Sequence, residues 1–143
     1  MKPFALVILL AVTTLAQSQS TERPYFADAG SYRSVDFGML EKRWVSSLES
    51  ENDGVVESAL AHIASMKLQV PSASVSRVRE HVGKLTTSGR TPATRYKAYL
   101  AKQVFDYPEL FEQESHVQYT KADALFGALA LRMNSALMGY NQQ

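Results

Sequence analysis

TPATRYKAYLAKQVFDY, residues 91–107, is the stretch whose reading decides the fold. Thr91 can cap the first free backbone N–H groups of a helix. Pro92 then takes the first helical position, where its fixed φ suits the helix and its missing N–H costs nothing. Pro108 follows Tyr107 at once and pushes that residue out of the helical region, so the end is marked as well. At about 100° per residue, Tyr96, Leu100, Val104 and Tyr107 fall on one side, while Ala98, Ala101 and Phe105 form a second apolar patch. The pattern predicts a helix buried from two directions. The narrow strip that remains carries Arg95, Tyr99, Lys102 and Asp106, spaced i, i+4, i+7, i+11, with Lys102 and Asp106 close enough to pair.

The same periodicity extends outward from this helix. Before it, Val75, Val78, Val82 and Leu85 keep a helical period that Ser72 or Ser74 can open. Gly83 weakens that helix, and Gly89 is expected to end it in the left-handed conformation. Upstream, Phe37, Leu40, Trp44, Val45 and Leu48 recur at i, i+3, i+7, i+8, i+11, predicting a first helix from Ser34 with Trp44 in the core. A polar break at Glu49–Asp53 offers Asn52 or Asp53 as the next cap. The second helix is expected from Gly54 to about Lys67, burying Val55, Val56, Ala59, Leu60, Ile63, Ala64 and Met66, with Glu57, Ala61 and Ser65 on the opposite side. Downstream, Pro108 to Gln113 suits one short turn with Leu110 and Phe111 inward. Thr120 and Asp123 then have the spacing of a capping box. They open a last helix over Lys121–Met138, whose Leu125, Phe126, Leu129, Met133, Leu137 and Tyr140 form a wide apolar stripe. No alternating strand pattern occurs. The expected fold class is all-α, five to six helices arranged as antiparallel helical hairpins.

The amino terminus, MKPFALVILLAVTTLAQSQS, places a cation at Lys2 before an apolar run and then small and polar residues. That order predicts a signal peptide over residues 1–16, with the mature chain starting near Gln17 or Ser18. Residues 17–33 read as an extended arm whose Tyr25, Phe26 and Tyr32 lie across the helices, and residues 34–140 as a single helical domain. No later run is long and apolar enough to span a bilayer. The expectation is an exported protein, periplasmic or extracellular, without stable membrane insertion. The 143 residues include no cysteine and are 45% hydrophobic, the composition of one ordinary globular domain whose stability comes from packing.

Net charge is +1, and removing Lys2 leaves 14 bases and 14 acids. Nucleic-acid binding is therefore not expected. The distribution is uneven: residues 20–70 hold eight acids and five bases, residues 71–103 one acid and seven bases, residues 104–143 five acids and two bases. Such blocks either attract one another inside the fold or leave a basic face for an acidic partner.

The two central hairpins can be laid on each other. A shift of 38 carries Phe37, Leu40 and Trp44 onto Val75, Val78 and Val82, and a shift of 40 carries Val56, Leu60 and Ala64 onto Tyr96, Leu100 and Val104. With two helices per unit, SLESENDGVVESALAHIASMKL and KLTTSGRTPATRYKAYLAKQVF resemble HEAT-type α-solenoid repeats over residues 35–107. Asp53, Val55 and Val56 supply part of that family's pattern, and Pro92, Thr94 and Arg95 another part. The resemblance implies HEAT-like repeat packing and a protein-binding scaffold that works through the surface of its second helices.

Motifs for chemistry are missing. His62, His81 and His116 have no second histidine or cysteine at ligand spacing, and Glu112, Glu114 and His116, in an expected loop, lack a helical i, i+4 arrangement. No GxSxG or glycine-rich phosphate loop occurs, and Glu41, Glu49 and Glu57 read as solvated charges. The expectation is a protein that is not an enzyme and holds no cofactor or metal. Its candidate protein-binding residues are Arg95, Tyr99 and Lys102, aimed at another protein with an acidic surface. The alternative for that strip is that Arg95 and Lys102 pair with acids of a neighbouring helix. Two other functional classes stay open: a small helical enzyme or ligand carrier with a pocket, and a self-associating structural protein with Leu125 to Tyr140 as its seam.

Overall fold

The computed structural model describes residues 24–140. The expected signal peptide and the start of the arm lie outside them. The order of elements is a 3-10 turn (Ala29–Tyr32), α1 (Phe37–Leu48), α2 (Asp53–Gln69), α3 (Ser76–Ser88), α4 (Pro92–Asp106), a second 3-10 turn (Pro108–His116) and α5 (Ala122–Tyr140). No strand occurs among the described residues, and the fold is all-α.

Three helix starts follow from local side chains. The Asp36 carboxylate accepts from the N–H groups of Gly38 and Met39 at 2.9 and 3.1 Å, Asn52 from Gly54 and Val55 at 2.9 and 3.3 Å, and Thr91 from Thr94 at 3.0 Å, with Pro92 in place behind it. The start of α3 does not follow this rule. Neither Ser72 nor Ser74 opens it; the helix begins at Ser76 after Val75, which offers no capping side chain. Glu41 of α1 does that work from across the fold, accepting from Arg77 N–H at 2.7 Å and Val78 N–H at 3.3 Å. A carboxylate there also suits the positive end of the helix dipole.

The most enclosed element is α2, which touches α1, α4, α5 and the second 3-10 turn. Leu60, Ile63, Ala64 and Met66 are fully buried on it. So are Ala61 and nearly so Ser65, at 0% and 6% exposure, although their positions were expected to face outward. Neighbours on several sides cover these positions, and small side chains there let them come close, while Val55, expected to be buried, is 41% exposed near the start of the helix. The arm closes a further side: Phe26 is buried at 1%, Tyr25 stacks on His62 with centroids 4.9 Å apart, and Gln69 Nε2 donates to the Ala27 carbonyl at 2.9 Å. Burying Phe26 alone contributes about 1.5–3 kcal/mol.

On α4 the expected double burial holds for Ala98, Leu100, Ala101 and Val104. Tyr96 and Tyr107 depart from it, at 50% and 53% exposure. Their phenols tolerate water at one end, so a helical apolar count that scores them as core overstates the buried stripe. α1 lies beside α3 and α2 beside α4, with Glu41 bonded 36 residues on to Arg77 and Glu57 bonded 37 and 40 residues on to Thr94 and Lys97.

Candidate functional site

Ion pairs tie the three charge blocks together. Glu49 meets His81 at 3.0 Å, Asp53 meets Arg90 at 3.5 Å, Glu57 meets Lys97 at 2.7 Å, and from the last block Asp123 reaches Lys97 at 3.2 Å and Asp106 reaches Arg79 at 2.7 Å. Glu41, Glu49 and Glu57, which read as solvated, are thus ties between helices. His81 is another, since its second ring nitrogen lies 2.9 Å from the Arg77 carbonyl. Burial pulls the Lys97 ammonium down in pKa, but its hydrogen bonds and attraction to Glu57 and Asp123 outweigh that and leave it above an ordinary lysine.

Much of the α4 strip is also turned inward. Arg95 is half-buried, and its Nη1 donates to the Gly89 carbonyl at 2.7 Å. Gly89 is not left-handed: its φ and ψ are −56° and 135°. What requires glycine is space, because a Cβ there would lie 2.8 Å from the Leu85 carbonyl oxygen and 2.9 Å from Arg95 Cγ. Lys102 pairs with Asp106, which Arg79 shares. Burial raises the Asp106 carboxyl, yet the two cations holding it bring its pKa below the usual carboxylate value. Tyr99 is 39% exposed and stacks on Tyr96, with centroids 6.4 Å apart and planes at 17°. Arg95, Tyr99 and Lys102 therefore share a strip without converging: one cation turns to the α3–α4 loop, the other to the end of α4.

The barest apolar surface is on α5. Leu125, Phe126 and Leu129 are buried, all in its first half. Leu137 and Tyr140, expected on the same buried stripe, are 58% and 84% exposed, because the body no longer covers the helix there. A second stripe runs along the outer side: Ala124, Ala128, Leu131, Ser135 and Met138, spaced 4, 3, 4, 3. Leu131 and Met138 on it are 70% and 71% exposed. The sole charge from residue 124 to the end of the sequence is Arg132, and it is committed to Glu114 at 3.0 Å and to Gln113. This outer stripe is legible in its alternating spacing, but the wider inner stripe, richer in large apolar residues, masks it in the sequence.

A groove of about 430 Å³ between α1 and α2 is lined by Trp44, Val55, Ser58 and His62 among others. Trp44 is half-buried at its edge and packs against the core. Burial under Tyr25 and Phe26 holds the His62 pKa below its usual value. Glu112, Glu114 and His116 do not form a joint site: Glu114 receives Tyr119 and Arg132. Burial, then the hydrogen bond to Glu114, pushes the Tyr119 phenol well above its ordinary pKa. Among the described residues no three His, Asp or Glu side chains are grouped to hold a metal ion, and no helix is long and apolar enough to cross a membrane. No family model matches the chain, and neither does any characterised protein or solved structure.

Proposed function

We propose that the chain is an exported, non-enzymatic helical scaffold that binds another protein, and that the outer stripe of α5 is the surface it uses. The single observation that carries this reading is the exposure of Leu131 and Met138 on an uncharged 4–3 stripe. A monomer keeps few large apolar side chains this bare on one face without a partner to cover them. Covering each one contributes about 1.5–3 kcal/mol, and a 19-residue helix offers about 28 Å of length for the contact. The partner that fits is an apolar helix face with no charge at its centre, since any unpaired charge would be desolvated against the stripe. Behind this surface, α1–α2 and α3–α4 serve as two stacked hairpins in the manner of HEAT-type units, a reading supported by the bonds 36 to 40 residues apart that join them. Arg95, Tyr99 and Lys102 are the lesser surface, because both cations already hydrogen-bond within the chain. Export rests on the order of residues 1–20.

A second reading has its own support. Because the stripe itself carries no charge and Arg132 beside it is paired to Glu114, an identical copy could cover it, and self-association is the main competitor. A photo-crosslinking residue at position 131, with Met138→Glu as its control, or at position 138, with Leu131→Glu as its control, separates the cases. A heterologous adduct lost in the control supports the scaffold reading. A concentration-dependent mass lost in the control transfers the stripe to self-pairing. A monomer that forms no adduct at either position refutes both.

A further inference from the structure

A small recess lies where residues of α2, the α2–α3 loop, α3 and α4 meet. Lys67 of α2 and Arg79 of α3 both line it, together with Ser74 and Ser76 at the start of α3 and the ring of Phe105, around a volume of about 180 Å³. The Lys67 ammonium donates to the Ala73 carbonyl at 3.0 Å and to the Pro71 carbonyl, which occupies two of its three N–H bonds with neutral acceptors. It sits 5.5 Å from the Phe105 centroid and forms no ion pair among the described residues. Burial first, and then the charge of Arg79, hold its pKa below that of an ordinary lysine. Arg79 does reach a carboxylate, but it shares Asp106 with Lys102. Glu109 and Glu112 line a neighbouring groove that Lys67 also borders, and neither comes within ion-pair distance of it. The Glu41 carboxylate already takes the Arg77 and Val78 N–H groups at the start of α3, so the donors left to the recess are side chains; Ser74 and Ser76 line it, and neither hydroxyl has a hydrogen-bond partner among the described residues.

We propose that this recess binds a small oxyanion, a carboxylate or phosphate group, through Lys67, Arg79 and the hydroxyls of Ser74 and Ser76. The cations supply attraction, the hydroxyls supply donors, and the size admits a single such group. Nothing that lines the recess belongs to α5, so the site stands or falls apart from the outer stripe.

The test is an NMR titration of the ¹⁵N-labelled chain with inorganic phosphate and, separately, with succinate, each at constant ionic strength set by sodium chloride. Saturable shifts are expected at the amides of residues 74–79. Arg79→Gln should weaken the binding by about fivefold or more, as loss of one charge-assisted contact implies. A double Ser74→Ala, Ser76→Ala variant, which disturbs no ion pair, should weaken it too. Saturation with phosphate alone points to a phosphoryl group, and saturation with succinate points to a carboxylate such as a partner's acidic side chain; either upholds the site. Shifts that rise linearly with both anions, or saturation that Arg79→Gln and the serine variant leave unchanged, overturn it.

Discussion

Replacing Gly89 with alanine separates two reasons for which a chain keeps a glycine. The backbone there, at φ −56° and ψ 135°, is open to any L residue. If conformation were the whole matter, alanine would stabilise the protein by about 0.4–1 kcal/mol, because it restricts the unfolded chain. Space argues the other way. The added Cβ would stand 2.8 Å from the Leu85 carbonyl oxygen, 2.9 Å from Arg95 Cγ and 3.2 Å from Arg95 N. Leu85 cannot give way easily, since its carbonyl accepts the Gly89 N–H at 3.0 Å. Arg95 is tied as well, by its bond to the Gly89 carbonyl. Forcing a methyl group into such a site costs about 1–3 kcal/mol, so the clash should win by roughly 1–2 kcal/mol. Urea unfolding should show a lower midpoint with an unchanged slope, and the melting temperature should fall by roughly 3–10 °C. Adding Arg95→Ala should recover only part of the loss, because the Leu85 oxygen remains. A Gly89→Ala protein as stable as the parent, or more so, would refute the close-approach argument.

Glu41→Ala removes the acceptor for Arg77 and Val78 N–H and should cost about 1–2 kcal/mol, with Glu41→Gln costing less because an amide oxygen can still accept. Hydrogen exchange at those two amides should quicken first; unchanged rates there would count against a cap supplied by α1. His62 gives a pH signature. Its folded pKa lies below the unfolded value of 6.5, so on acidification the unfolded chain takes up the proton first. Stability should therefore decline from about pH 6.5 downward until the folded pKa is passed, and His62→Leu should remove that part of the decline. Equal losses between pH 7.5 and pH 5 in both proteins would show that the ring under Tyr25 and Phe26 is not responsible.

The helices themselves were legible. Thr91–Pro92 and Asn52 mark starts by hydrogen bonds that involve only the next two or three residues, whereas the first helix, expected from Ser34, begins at Phe37 behind its Asp36 cap; the spacing of Leu100, Val104, Leu60 and Ile63 marks the buried sides. What escaped was held by partners distant in sequence. Nothing near Ser76 announces that its helix is capped by Glu41, and a carboxylate on a polar face reads as solvated until the helix that faces it is known. Ala61 and Ser65 are too small and neutral to show whether anything packs on them. Tyr96 and Tyr107 erred in the other direction, their rings counting as apolar while their hydroxyls favour water. Of the candidate site, the identities of Arg95, Tyr99 and Lys102 were readable and their bonds to Gly89 and Asp106 were not. The recess at Lys67 and Arg79 combines residues from two helices and a loop, and only the excess of bases over residues 71–103 hinted at it.

That excess has a consequence for what happens when the fold is lost. Residues 71–103 carry seven bases and one acid, and only the assembled helices bring Glu49, Asp53, Glu57, Asp106 and Asp123 against them. The near-neutral chain conceals a polycation. Nicking or partial unfolding that frees this stretch turns an electrostatically quiet protein into one that clings to anionic membranes, nucleic acids and column matrices, with an attachment that salt releases. Adhesion to an anionic resin is thus a gauge of damage to the fold, and the folded molecule should leave such a resin at lower salt than the damaged one.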